Sequence, residues 1–287
     1  MNIFNQTYEL SNGIKIPKLG LGTWLIPNDK VSECIKHATE IGYRHIDTAQ
    51  AYENEEGIGI GLRNINIPRE ELFITTKVRA EYKTYEEAKK SIDESLNRLG
   101  LEYIDLIIIH SPQPWMEFRD DKRYFEENIN VWKALEDAYK EGKVKAIGVS
   151  NFLIDDLDNL INNCEIKPMV NQILTHISNT PLELIDYCKK NNILVEAYSP
   201  IAHGAANKSS KIAYIANKYG VTVAQLCIKY TLQLELVTLP KTSNTEHMKT
   251  NSELDFIISD EDMELLKSLK GAIDYGSDKV FPVFSGK

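Results

Sequence analysis

Long apolar runs are missing from this chain of 287 residues: the longest purely aliphatic one is Leu106–Ile109, far below the roughly 18 residues that a membrane-spanning helix requires. Cysteine is scarce as well. Cys34, Cys164, Cys188 and Cys227 stand far apart, which offers neither a compact disulfide framework nor the paired spacing of a zinc site. Positive charge is in deficit, 33 Lys and Arg against 42 Asp and Glu for a formal net charge of −9, and that balance argues against nucleic acid or a membrane as partner. The first residues lack the basic and apolar stretches of a secretory signal, so a reduced, cytoplasmic protein is expected. Three motifs are absent too: a G-x-G-x-x-G fingerprint opening a helix, a Walker A loop and a His-Glu-x-x-His pair. Their absence removes the Rossmann, P-loop and zinc-hydrolase readings, and no metal is expected. Gly148-Val149-Ser150 begins like a nucleophile elbow but has no second glycine, so a serine hydrolase is rejected.

What the chain does have is rhythm. With 43% hydrophobic and 26% charged residues it is expected to fold. After a hairpin predicted around Ser11-Asn12-Gly13, eight short apolar segments at 19–24, 44–48, 72–78, 104–110, 146–150, 169–173, 194–199 and 236–241 alternate with amphipathic stretches. In one of these, Tyr85, Ala88, Ile92, Leu96 and Leu99 recur at helical spacing while Lys89, Lys90, Asp93 and Glu94 occupy the other face. Capping boxes are expected at Thr84 with Glu87 and at Thr180 with Glu183, the latter with Pro181 at the first helical position. Gly57, Gly59 and Gly61 fall inside a predicted helix and read as packing glycines. Eight strands each followed by a helix predict an α/β fold, a (β/α)₈ TIM barrel with an N-terminal β-hairpin and extra helices, forming a single domain over residues 1–287, rather than an open doubly wound sheet.

In such a barrel the C-terminal ends of the strands converge on one mouth. Asp47, Lys77 and His110 end three successive strands, and Tyr52 follows Asp47 by five residues, which brings four ionisable groups to one rim. That set suits general acid catalysis: a lysine beside a tyrosine hydroxyl is expected to lower its pKa, an aspartate to orient the lysine, and a histidine to position a carbonyl oxygen. Ser150 and Asn151, Gln172, Tyr198 and Ser199, and Lys241 and Thr242 end the other strands.

At these residues the sequence resembles the aldo-keto reductase family over nearly its whole length. Gly42 to Ala49 and Ala51 to Glu55 look like the family signature that carries the catalytic Asp and Tyr. Thr76-Lys77 looks like its lysine segment and Ile109-His110-Ser111-Pro112 its histidine segment. Leu239-Pro240-Lys241-Thr242 followed by Asn251 looks like the adenosine-side signature. The resemblance implies an enzyme that binds a nicotinamide dinucleotide, NADPH, in extended form and reduces an aldehyde or ketone, a small-molecule carbonyl substrate, to an alcohol. Tyr52 would then give the proton, with Asp47, Lys77 and His110 as catalytic partners. Ser150, Asn151 and Gln172 would hold the carboxamide, Tyr198 would stack under the ring, and Ser199, Lys241, Thr242, His247 and Asn251 would line the rest of the cofactor site. Trp24 and Trp115 are the expected substrate-pocket walls beside His110.

Two departures from the family pattern stand out. His247 replaces an arginine of NADP-binding members, and an imidazole pairs with a 2′-phosphate less well than a bidentate guanidinium, so NADH use is open. The segment 201–210 is short, which predicts a more open site. A monomer is expected. Two other functions fit the same barrel: a cofactor-binding regulatory module, and a Schiff-base aldolase using Lys77.

Overall fold

The hairpin forms where turn chemistry places it. Strands β1 (Thr7–Glu9) and β2 (Lys15–Pro17) pair antiparallel with Tyr8 opposite Ile16, and Gly13 takes the left-handed conformation of the turn at φ 85°, which costs glycine nothing. The computed structural model describes residues 2–271 and 273–286.

Eight parallel strands follow in chain order: β3 (Gly20–Gly22), β4 (His45–Asp47), β5 (Phe73–Val78), β6 (Leu106–Ile109), β7 (Ile147–Ser150), β8 (Val170–Leu174), β9 (Leu194–Tyr198) and β10 (Val237–Leu239). The sheet curls until its edges meet. Leu19 bridges Thr238 and Gly22 bridges Lys241, both parallel, and the Gly22 N–H donates to the Pro240 carbonyl at 3.1 Å. The architecture is therefore the expected (β/α)₈ barrel and not an open sheet. Every residue of β5, β6 and β7 is buried, as strands covered on both faces must be.

The covering helices are α1 (Asn28–Ile41), α2 (Glu55–Arg63), α3 (Tyr85–Leu99), α4 (Phe125–Lys140), α5 (Ile154–Asn163), α6 (Leu182–Lys190), α7 (Ser210–Lys218), α8 (Val223–Gln233), α9 (Thr245–Ser252) and α10 (Asp260–Ser268). Among the described residues no helix is long and apolar enough to cross a membrane. Helix α3 buries Ala88, Ile92 and Leu99 and starts with the expected capping box of Thr84 and Glu87. The second box does not form. Helix α6 starts at Leu182 with Pro181 as its cap residue and no side-chain cap. The Thr180 hydroxyl is engaged instead with the His176 carbonyl at 3.0 Å and the Tyr230 hydroxyl at 2.8 Å, so tertiary partners outcompete the local motif.

The three glycines of α2 are packing residues, as expected. A Cβ on Gly57 would lie 2.1 Å from the Asn28 carbonyl oxygen, and one on Gly59 would lie 2.4 Å from that of Leu99. Backbone cannot retreat as a flexible side chain can. Gly59→Ala is expected to cost about 1 to 3 kcal/mol, the usual range for overpacking, as a lower denaturation midpoint at unchanged m-value. An unchanged midpoint would mean that α2 slides freely against the C-terminal end of α3.

A second, smaller apolar cluster, including Ile177, Ala202, Ile212, Leu226, Leu266 and Ile273, lies outside the barrel core. It ties α7, α8 and α10 to the segment after β9 and to the C-terminal stretch.

Candidate active site

Barrel closure brings the strand ends together, and the strand-end residues meet in one cavity of about 280 Å³. Asp47, Tyr52, His110, Ser150, Asn151, Gln172, Tyr198, Ser199 and Lys241 all line it, as do Trp24 and Trp115. An adjoining cavity of about 530 Å³ is lined by Trp24, Ser199, Lys241, Thr242, His247 and Asn251. Every residue that the sequence suggested for a site is thus at one of the two cavities, except Lys77, which lies fully buried behind Asp47.

Lys77 Nζ donates to Asp47 Oδ2 at 2.6 Å, to the Thr48 carbonyl at 2.8 Å and to the Tyr52 hydroxyl at 3.3 Å. Tyr52 sits on a 3₁₀ turn over Gln50–Tyr52, which swings its ring back over β5. Here one expectation fails. Burial, and Asp47 after it, raise the Tyr52 phenol well above its ordinary pKa, because the ammonium that was expected to lower it is committed at shorter range to Asp47 and Thr48. The phenol is therefore held protonated. His110 moves the other way: burial, then Lys77 and Arg79, push its imidazole well below the ordinary value, so the ring is neutral. Its Nδ1 is buried with no partner, which leaves Nε2 as the nitrogen available to the cavity. The Tyr52 and His110 rings meet edge to face with centroids 5.5 Å apart, and Trp115 stands 5.0 Å beyond His110.

The opposite wall is a bonded chain. Ser150 Oγ donates to the Gln172 carbonyl at 2.8 Å, Asn151 Nδ2 donates to Ser150 Oγ at 3.0 Å and to the His110 carbonyl at 3.1 Å, and the Tyr198 hydroxyl donates to Asn151 Oδ1 at 2.8 Å. Asn151 and Ser199 are held at φ 61° and 50°, in the left-handed region that few non-glycine residues enter.

Sequence reasoning missed the C-terminal stretch. Phe281, Pro282 and Val283 line the catalytic cavity, with Phe281 packed edge-on against Trp24 at 4.8 Å. Asp278 pairs with His203 Nδ1 at 2.9 Å, and His203 belongs to the segment after β9. No periodicity announces these residues. Glu196 was missed too, although a lone acid in Leu194-Val195-Glu196-Ala197-Tyr198 was a legible signal.

The profile of the aldo/keto reductase family matches residues 18–270. The chain belongs to the aldo/keto reductase family. It is 41% identical to the glyoxal reductase of Bacillus subtilis over 265 residues, 92% of each chain. Over 273 residues it is 35% identical to the methylglyoxal reductase DkgA of Escherichia coli, covering 94% of this chain and 95% of that one. The crystal structure of a Bombyx mori aldo-keto reductase in complex with NADP superposes with a TM-score of 0.83 at 31% identity, covering 97% and 98% of the two chains. This aldo/keto reductase is accordingly an NAD(P)H-dependent oxidoreductase of aldehydes and ketones. The Schiff-base reading of Lys77 also fails on geometry, since its amine is fully buried and engaged by Asp47 and Thr48.

The residues present fit a dinucleotide. The two cavities share Trp24, Ser199 and Lys241, and the far one ends at the first turn of α9, where Asn244 caps the helix and Thr242 Oγ1 accepts from the Asn244 N–H at 3.0 Å. A lysine and the N-terminal end of a helix suit an anion.

Proposed function

We propose that this reductase prefers NADPH, acts as a cytoplasmic monomer on short aldehydes and ketones, and takes its proton from Tyr52. The observation that carries the reading is the meeting of Asp47, Tyr52, Lys77 and His110 at one end of a cleft whose other end offers Lys241, Thr242 and His247. The bound cofactor supplies the hydride. The chain's own residues do the rest. Tyr52 and His110 Nε2 hold the carbonyl oxygen between two donors, Tyr52 passes its proton to that oxygen, and the Lys77 ammonium, 3.3 Å from the hydroxyl, steadies the phenolate left behind. Donors fixed in advance at a developing alkoxide contribute more to such catalysis than any other single effect. Ser150, Asn151 and Gln172 are the polar groups placed to grip the carboxamide, with Tyr198 beside them as the stacking ring. Trp24, Trp115 and Phe281 narrow the catalytic cavity, which supports a small substrate; the glyoxal and methylglyoxal reductases among the relatives point to short dicarbonyl aldehydes.

At the anion end, burial draws the Lys241 ammonium below its ordinary pKa, and His247 occupies the position of the family arginine. An arginine contact to a charged group contributes about 1.5 to 3 kcal/mol. His247→Arg is therefore expected to widen the NADPH-over-NADH preference by roughly ten- to a hundredfold, read as the ratio of the two dissociation constants. A ratio that does not move places His247 away from the phosphate. Consumption of NADPH with a panel of short aldehydes tests the whole reading; a chain that binds the dinucleotide but turns over none of them would be the regulatory module instead.

A further inference from the structure

Under the floor of the catalytic cavity, two carboxyl groups share one amide. Gln172 Nε2, on β8, donates one hydrogen to Asp47 Oδ1 on β4 and the other to Glu196 Oε2 on β9, both at 2.8 Å. Two acceptors thereby fix the amide's orientation and leave Oε1 for the cavity that Gln172 lines. Lys77 Nζ, on β5, is taken by Asp47 and Thr48. Glu196 is fully buried, and its Oε1 has no hydrogen-bond partner. The basic group beside that oxygen is His45 on β4, whose Nε2 is 3.8 Å away and bonds Thr75 at 3.0 Å. Burial brings His45 down to about 3, so it offers no counter-charge. Burial, and Asp47 after it, push the Glu196 carboxyl up to about 8. No step of the reduction uses this acid, and the apolar strand around it has no packing need for one.

We propose that Glu196 is a positioning residue that stays protonated under Gln172 while the reduced dinucleotide is bound and releases its proton when the oxidised, positively charged ring lies above, thereby setting the balance of affinity between the two redox forms. The inference rests on the cofactor cleft proposed above. The oxidised and reduced dinucleotides share their phosphates and adenosine, so the ratio of their dissociation constants cancels Lys241 and His247 and isolates groups near the ring. Those facing Glu196 are Asp47 and His45 from β4, Lys77 from β5 and Gln172 from β8. Loss of the Glu196 proton adds negative charge below a ring that is positive only when oxidised, so affinity for NADP⁺ relative to NADPH rises with pH. By linkage, NADP⁺ binding expels a proton and NADPH binding does not.

The test is fluorescence titration of the full-length protein with NADP⁺ and with NADPH between about pH 6.5 and about pH 9.5. The expected result is a roughly three- to tenfold shift of the ratio toward NADP⁺ across that range. In Glu196→Gln, whose amide oxygen still accepts from Gln172, the ratio is expected to be flat. Calorimetry in buffers of different ionisation heat measures proton release on the unmodified protein, and so decides the matter even if the variant does not fold. A pH-independent ratio with both dinucleotides bound, no proton released with NADP⁺, or an equal slope in Glu196→Gln each overturns the inference, the last in favour of Tyr52. Failure to bind either dinucleotide at any pH overturns the cofactor cleft, and this inference with it.

Discussion

Tyr52→Phe is expected to lower carbonyl reduction by at least about a hundredfold, the lower end for loss of a general acid, while the dissociation constant for the dinucleotide stays nearly unchanged. Tyr52 and His110 both line the catalytic cavity, and their surroundings drive them in opposite directions. The His110 imidazole is driven well below its ordinary pKa by burial, Lys77 and Arg79, so it reaches neutral pH without a spare proton and can only offer a hydrogen bond. The Tyr52 phenol is driven well above its ordinary value and keeps its proton until a neighbour needs it. Phenylalanine fills the same ring space, so the packing against His110 at 5.5 Å survives and the loss falls on kcat. Near wild-type turnover in this variant would falsify the assignment and pass the proton to His110.

Lys77→Met is expected to be the more damaging of the two substitutions at the buried ion pair, in stability as well as in rate. Lys77 is fully buried and answers Asp47, with Glu196 held to the same aspartate through Gln172. Methionine leaves the buried Asp47 carboxylate without its cation, and breaking such a pair from one side costs about 3 to 5 kcal/mol. Asp47→Asn keeps an acceptor for Lys77 and leaves the Thr48 carbonyl bond in place, so its cost is smaller on both counts. Thermal melts and single-turnover rates on the two variants check the order. An Asp47→Asn protein that is both less stable and slower than Lys77→Met would show that the aspartate, and not the lysine, organises the site.

The barrel was legible because its strands are buried on both faces and read as short apolar runs between amphipathic stretches. Asp47, Lys77 and His110 were legible for the same reason: each ends such a run, and successive strands of the barrel lie side by side, which makes those ends neighbours. What failed to show is what depends on burial or on contacts distant in sequence. The Thr180 and Glu183 pair has the spacing of a cap, but His176 and Tyr230 claim the hydroxyl. The direction of the Tyr52 shift follows from how deeply the ring is sunk and from which group reaches Lys77 first, and neither can be counted along a sequence. Phe281 reaches the cavity because Asp278 is tied to His203 and the Phe281 ring packs edge-on against Trp24, a set of contacts between irregular segments with no repeat to betray them.

The barrel closes where Gly22 meets Lys241, and both of those residues also line the catalytic cavity. That seam joins strands from near the two ends of the chain, so among the strand pairings it closes the longest loop and carries the largest loop-closure entropy. A dinucleotide bound in the proposed cleft would span the seam like a clasp on a bracelet. Because a ligand that binds only the folded form stabilises it by an amount that grows with the logarithm of its concentration, a barrel with cofactor bound across this seam is expected to resist unfolding better than an empty one.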